Sequence, residues 1–577
     1  MKAKVRLTKY LKPYAAYVVL APAMMLVEVF MDLQQPAYMA VVVDDGILGG
    51  NMGVITLTCL KMLGAALAGL AGGFLCTVFA MLAAMNYGAD MRGDLFKKVE
   101  SFSFNEIDKF STGSLVTRLT NDVTQLQNMV GMALRMFVRA PLLCVGSVAM
   151  ALSISVRYGA VLTVVIPIII VVIAVILKKT TPVFLTIQTK LDRLNAILQE
   201  NLSGVRVIKA FVRCDYEKGR FGKANDDLTK ASLYAMNIMA AVMPLMMVVM
   251  NSVVIAVIYI GGKQVQAAEM RVGDVMAAIS YMTQILMTFM MMSMVFITIP
   301  RAKASGDRVR EVLETAPSIA GGGVAEAVKR GDIEFDDVSF AYSGGSGEPV
   351  LKNISIKINA GEHIGLLGAT GAGKSSLVNL IPRFYDATGG RVLVDGVDVR
   401  DYDLSALRSQ IGFVLQESVL FSGSIEENIL WGDPGAGAEG VRKAAAAAQA
   451  DEFISAMPDG YGSAIGQRGL TLSGGQKQRA CIARALVKQP KILILDDATS
   501  ALDLGTESRL NAAVRDGYTG GGTRLTIAQR ISSVMDADRI YVLDNGSVAA
   551  EGTHGELLAG SAIYRDIYES QMGAGAI

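Results

Sequence analysis

Six apolar runs lie before residue 300, at about 14–43, 54–87, 129–154, 158–177, 236–261 and 275–299. Crossing a hydrocarbon layer takes roughly 20 apolar residues of helix, so each run qualifies as a membrane span. Several exceed that length, and their helices are expected to continue into water. After Pro300 the long runs stop and short strand patterns with polar turns begin. A chain of 577 residues is too long for one core, since domains usually hold about 100–200 residues. The expected fold class is a membrane all-α domain of six transmembrane helices with long cytoplasmic extensions, followed by an α/β P-loop nucleotide-binding domain with a helical subdomain. The expected boundaries are 1–318, a linker at 319–331, and 332–577.

Charge sets the orientation. Lys2, Lys4, Arg6, Lys9 and Lys12 precede the first run, and Arg92, Lys97, Lys98, Lys109 and Arg118 follow the second, whereas three other connections hold only Arg157, Lys263 and Arg271. Cytoplasmic loops carry the basic excess. The N-terminus, both long connections and the soluble half are therefore expected in the cytoplasm, with the chain multi-pass in the cytoplasmic membrane and the lipid bilayer as a partner. The basic leader lacks a small-residue cleavage site and reads as part of a retained first span. Globally the 54 basic and 53 acidic residues nearly cancel, so no field points to nucleic acid. Five scattered cysteines offer neither a disulfide framework nor a zinc site.

The long connections are patterned. Segments 104–127 and 201–221 each read as helix, turn, helix, with breaks expected at Gly113 and Gly204. Charges inside the spans are costly. Glu28 and Asp32 share a face of the first span with Gln35, and read either as lining a polar cavity or as a structural pair bonded to another helix. Arg139 precedes Arg157 by about 27 Å of helix, which places it and Arg135 near the inner water boundary. The fifth and sixth spans are methionine-rich, which suits a surface that repacks around differing ligands and equally suits ordinary packing.

In the soluble half, EHIGLLGATGAGKSSLVNLI reads as a strand, a G-x-x-x-x-G-K-S loop from Gly368 to Ser375, and a helix. Such a loop, through Gly368, Gly371 and Gly373, turns backbone N–H groups toward phosphate oxygens; Lys374 reaches the β and γ phosphates, Ser375 binds Mg²⁺, and Ser376 continues the cradle. The buried strand ILILD ends at Asp496, suited to hold Mg²⁺ through water. Gln416 can reach the metal or the attacking water. Ser473, Gly474, Gly475 and Gln476 open a second helix whose N-terminus forms another phosphate site. If both devices grip one nucleotide a single chain suffices; if not, two chains sandwich two ATP molecules.

Nearly the whole chain resembles a half-transporter of the ATP-binding cassette exporter family. The resemblance is carried by Tyr342 in VSFAY, the loop GATGAGKSS, Gln416, AIGQRG, LSGGQ, ILILD, and SALD ending at Asp503, with STGSLVTRLTNDV and SGVRVIKAF similar to the coupling segments. It implies adenine stacking on Tyr342, ATP and Mg²⁺ as cofactors, and a head-to-tail dimer in which one chain's Walker loops face the other's signature.

Two residues depart from that pattern. The position after Asp496 carries Asp497 where glutamate polarises water, and the switch histidine is replaced by Gln529, which cannot relay a proton. With LSGGQ intact, the expected partner is a second, non-identical half-transporter whose hydrolytic site this signature completes. Export of small hydrophobic or amphipathic substrates is the leading expectation. Uptake of metal chelates and a regulatory, nucleotide-gated membrane protein are the alternatives.

Overall fold

The computed structural model describes residues 5–342, 348–466, 469, 471–515 and 521–572. It divides into two compact units, Met1–Lys98 with Gly113–Thr315, and Val99–Thr112 with Ala316–Ile577. The first division between them falls inside the connection after the second expected span, so part of that connection belongs to the soluble fold.

The chain begins with α1 (Ala15–Val41), α2 (Met52–Glu100), α3 (Phe104–Phe110), α4 (Thr112–Thr117) and α5 (Val123–Ile154). There follow α6 (Arg157–Ser203), α7 (Val205–Ala210), α8 (Cys214–Ala240), α9 (Val242–Gln266) and α10 (Val272–Glu314). Helices dominate because a lipid-exposed backbone must satisfy its polar groups internally. Among the described residues five helical stretches are long and apolar enough to cross a membrane: Leu7–Leu48, Met52–Glu100, Thr112–Ile154, Cys214–Gln266 and Val272–Met292. The remaining expected span, 158–177, corresponds to a shorter described apolar stretch, Arg157–Val172, at the start of the long α6.

Within this unit α2 buries Ala65, Gly69, Gly72, Cys76 and Ala80, a row of small residues that lets helix backbones approach closely. A second core forms around the buried Tyr158, Ile169, Tyr281 and Ile285. Its two tyrosine hydroxyls are answered: Tyr281 Oη donates to Leu33 O at 2.8 Å and Tyr158 Oη to Met270 Sδ at 3.4 Å.

The breaks in the long connections differ. Gly204 does separate α6 from α7. The first break, however, is at Ser111, with φ +55, and Gly113 lies inside α4. Phe102 and Phe110 stack with centroids 5.8 Å apart, which closes the loop around α3 and turns the chain immediately after Phe110. In the second unit, Phe104 packs on Phe384 at 4.8 Å and Asp108 Oδ2 accepts from Tyr385 Oη at 2.8 Å, so α3 is held to the soluble fold.

That fold holds β1 (Ile333–Phe340), β2 (Leu351–Ile358), β3 (His363–Gly368), α11 (Lys374–Asn379), β4 (Gly389–Val394), β5 (Val397–Asp398), α12 (Leu404–Ser409) and β6 (Ile411–Val414). A helical part follows with β7 (Gly423–Ser424), α13 (Ile425–Leu430), α14 (Gly437–Ala447), α15 (Asp451–Ser455), β8 (Ala464–Ile465) and α16 (Gly474–Leu486). The chain returns through β9 (Ile492–Asp496), α17 (Leu504–Ala513), β10 (Thr523–Ile527), β11 (Arg539–Asp544), β12 (Ser547–Gly552), α18 (His554–Gly560) and α19 (Ala562–Met572).

Two larger sheets result. The antiparallel one runs β2-β1-β4-β5 and the other β12-β11-β3-β10-β9-β6, parallel except for β12. Parallel strands buried on both faces read as continuous apolar runs, and ILILD of β9 is buried at every residue. The helical part has its own core, with α16 packed on α13 and α14 through Ala480, Ile482, Ala483 and Leu486.

The segment expected as a linker is tied down. Val324 pairs with Tyr402, and Asp395 accepts from the backbone N–H groups of Lys329, Arg330, Gly331 and Asp332 at 2.6–3.2 Å. Four amides on one carboxylate fix the end of this segment to the soluble fold.

Candidate nucleotide site

Four adjacent parallel strands, β3, β10, β9 and β6, end at the same sheet edge and deliver the candidate residues there. In open α/β sheets ligands bind outside the carboxyl ends of the strands. β3 leads into the glycine loop, β9 ends in Asp496 followed by Asp497, β6 leads to Gln416, and β10 leads to Gln529. A pocket of about 230 Å³ is lined by Gly371, Gly373, Lys374, Ser375, Ser376, Gln416, Asp496, Asp497 and Gln529. Thr370, an unspecified position of the glycine loop, completes its wall with Val350 and Ile527, which carry no motif that would single them out.

The loop needs its glycines. Gly368 has φ +153 and a Cβ there would lie 2.3 Å from Leu543 O; Gly373 has φ +95 and its Cβ would lie 2.7 Å from Leu351 Cδ2. Gly368 itself faces the adjoining cavity beside α19. The loop is thereby kept open, with its N–H groups available at the start of α11, the arrangement that binds phosphate.

Electrostatics in the pocket are shaped by burial. Lys374 Nζ donates to the loop carbonyls of Gly368 at 2.7 Å and Ala369 at 3.0 Å, and burial lowers its pKa against the opposing pull of Asp496 and Asp497. Burial raises the pKa of Asp496, and the neighbouring Asp497 raises it further, while its bond from Ser375 lowers it. Ser375 Oγ donates to Asp496 Oδ1 at 3.0 Å. Burial likewise raises Asp497, with Lys374 and a hydrogen bond from Gln416 acting the other way. The hydroxyl, carboxylate and amide oxygens gathered here are hard donors of the kind Mg²⁺ accepts.

Asp497 and Gln529 are bonded to one another, Nε2 to Oδ2 at 3.1 Å. Neither histidine stands near: His363 is half-buried between Arg524 and Thr526 with its pKa pushed down to about 3 by desolvation and by Arg524, and His554 bonds Tyr564. Sequence reasoning missed Gln571 on α19. Its Oε1 accepts from Ile531 N and its Nε2 donates to Gln529 O, both at 2.8 Å, so one amide clamps the segment that carries Gln529.

Tyr342 lies beside the pocket. Its hydroxyl is 2.9 Å from Ser376 Oγ, and its ring meets Phe340 and Tyr385 edge-on at 4.8 and 5.2 Å. The signature stands apart: Ser473, Gly474, Gly475 and Gln476 are not among the residues lining the pocket. Ser473 caps α16, accepting from Gln476 N at 3.3 Å while its own N–H goes to Gln476 Oε1 at 2.9 Å, a reciprocal capping box. Asp503 also stands apart and caps α17 through Thr506 N at 2.9 Å. Gln478 joins these two segments by bonds to Ser500 and Ala501. In AIGQRG, Gln467 and Arg468 lie outside the described residues.

Comparison with known proteins agrees with this geometry. Residues 18–289 match the ABC transporter transmembrane region and 351–500 the ABC transporter domain. An uncharacterized ABC transporter ATP-binding protein of Bacillus subtilis, YfiB, is 42% identical over 564 residues, 98% of each chain. The chain belongs to the ABC transporter family. This ABC transporter is also 35% identical to an ATP-dependent lipid A-core flippase of Syntrophus aciditrophicus, over 84% of this chain and 80% of that one. A fatty acid ABC transporter ATP-binding/permease protein of Mycobacterium bovis is 35% identical over 82% of this chain and 75% of its own. Its fold is that of an ABC exporter half-transporter: a bacterial Atm1-family ABC exporter with ATP bound superposes with a TM-score of 0.77, at 25% identity and 99% coverage of both chains. It is thus a multi-pass membrane protein with an ATP-binding, ATP-hydrolysing cassette.

Proposed function

We propose that this chain is one half of a heterodimeric exporter that moves hydrophobic or amphipathic, lipid-like or drug-like substrates across the cytoplasmic membrane. Its six spans enter with the N-terminus and the cassette on the cytoplasmic side, as the basic residues of its leader and long connections suggest. Its own Walker site holds ATP and turns it over slowly, and its signature completes the hydrolytic site of a non-identical partner. The observation that carries this reading is the joint presence of Asp497 and Gln529 in one pocket with a fully capped signature helix elsewhere on the chain. The lipid A-core flippase and fatty acid transporter among its relatives support the substrate class.

In this reading the loop N–H groups and Lys374 hold the phosphates, and Tyr342 stacks on adenine. Mg²⁺ fits Ser375 directly, Asp496 through water, and Gln416. When bound, it offsets phosphate charge. Asp497 stands one methylene short of the glutamate that would polarise water, and a misplacement on the order of 1 Å costs roughly 10²-fold in rate.

The test is transport by the chain co-expressed with a candidate partner, a half-transporter carrying glutamate and histidine at the positions of Asp497 and Gln529. In inverted vesicles, ATP-driven accumulation of a fluorescent amphipath supports the reading; ATP-driven release of preloaded probe contradicts export. Failure of the two chains to copurify contradicts the pairing.

A further inference from the structure

A cavity of about 880 Å³ opens between α1, α2, α5 and α10 in the membrane unit. Its wall is largely apolar, with Phe74 and Met291 among its lining, yet four charged side chains face it: Glu28 and Asp32 from α1, and Arg135 and Arg139 from α5. Arg139 reaches across from α5 to the acidic pair on α1. Its Nη1 donates to Glu28 and its Nη2 to Asp32 at 3.0 Å, so both readings of that acidic pair hold together, a structural pair that also lines a cavity. α2 is shaped to admit the arrangement, because a Cβ at Gly73 would lie 2.7 Å from Glu28 Oε2.

The pairing is incomplete in a specific way. One guanidinium between two carboxylates leaves one negative charge in excess, and Asp32 keeps Oδ1 outside the pair, its side chain 37% exposed. Arg135, one helical turn before Arg139, is exposed to the cavity and makes no ion pair or hydrogen bond among the described residues. The cavity thus offers an unanswered cation, Arg135, and an unanswered anion, Asp32, with two acidic and two basic groups cancelling overall.

Charges at membrane depth persist only when answered. A purely anionic ligand answers Arg135 and leaves the acidic excess; a purely cationic one does the reverse. A ligand carrying both leaves the cavity neutral and satisfies each group. Resting on the reading of this chain as an amphipath carrier, we propose that this cavity recognises zwitterionic amphipaths, with the anionic group on Arg135, the cationic group on Asp32, and the tail along the apolar wall.

Three probes with one fluorescent alkyl tail and a phosphocholine, phosphate or trimethylammonium head test this by anisotropy titration of the full-length chain in nonionic detergent. The phosphocholine probe should bind tightest. Arg135→Gln should weaken the phosphocholine and phosphate probes by about tenfold, the scale of a lost hydrogen bond to a charged group, and spare trimethylammonium. Arg135→Lys should restore phosphocholine binding, and Asp32→Asn, which keeps an acceptor for Arg139, should weaken phosphocholine and trimethylammonium but spare phosphate. Head-independent binding, or an Arg135→Gln chain that still prefers phosphocholine, overturns this inference and leaves the carrier reading standing. Binding of none of the three overturns both.

Discussion

Gln529 Nε2 donates to Asp497 Oδ2 at 3.1 Å, so these two pocket side chains are bonded to each other. The backbone of Asp497 is pinned as well: its φ is +50, its N–H goes to Ile527 O and its carbonyl accepts from Ser500 Oγ, each at 3.0 Å. Under the proposed reading, that bond and the shorter side chain hold the carboxylate back from an attacking water. Replacing both residues, Asp497→Glu with Gln529→His, should raise turnover at this chain's own site by about tenfold or more. The rate is measured in a pair whose partner lacks its Walker lysine, so that only this site reports. An unchanged rate would count against the assignment.

The two phosphate devices of this chain should fail separately. Lys374→Ala should weaken nucleotide retention at this chain's own loop, read by photolabelling with an azido-ATP. Ser473→Ala removes the cap of α16, a loss of about 1 kcal/mol in helix-end stability. It should lower turnover at the partner's site while leaving labelling of this chain intact. Loss of both properties in either variant would contradict a shared, head-to-tail arrangement.

Asp395 gives a pH-dependent stability. Burial would raise its pKa, but the N–H groups of Arg330, Lys329, Gly331 and Asp332 outweigh it and lower the net value. A depressed carboxylate stabilises the fold above its unfolded pKa of about 3.9, and that contribution fades as pH falls through the folded value. Asn tolerates the positive φ at this position, so Asp395→Asn isolates the charge. It should cost about 1–3 kcal/mol at neutral pH and progressively less below about pH 4. The single tryptophan, Trp431, reports unfolding of the cassette by fluorescence. A gap that persists unchanged into acid would refute the account.

Gln571 should act on the switch segment from outside the pocket. Gln571→Ala removes both bonds of the clamp, and amide exchange at Ile531 should accelerate roughly tenfold, the scale of one lost hydrogen bond. Gln571→Glu keeps the acceptor alone and should retain protection at Ile531. Equal exchange in all three proteins would remove Gln571 from the site.

What was legible in the sequence is what local chemistry dictates. The glycine loop is readable because positive φ and close approach admit few residues, and Asp496 because a fully buried strand that ends in a carboxylate has few uses. The gathering of Gln416, Asp496 and Gln529 at one edge follows from strand order, which spacing alone does not fix. The pairing of Arg139 with Glu28 and Asp32 is not readable from either helix alone, because the register of α5 against α1 is a property of packing. The contacts of Asp108 with Tyr385 and of Gln571 with Gln529 join residues far apart in the chain, where no periodicity points from one to the other. The break at Ser111 escaped because stacking of Phe102 on Phe110, a pairing across a loop, outweighed the pull of Gly113.

The central claim is asymmetry between two ATP sites, and ATP turnover of the purified pair tests it most directly. Asp497→Asn in this chain should reduce turnover modestly, whereas replacing the partner's corresponding glutamate by Gln should abolish it, and this chain purified alone should hydrolyse ATP slowly. A lone chain that turns ATP over as fast as the pair, with that activity lost in Asp497→Asn, would contradict the account.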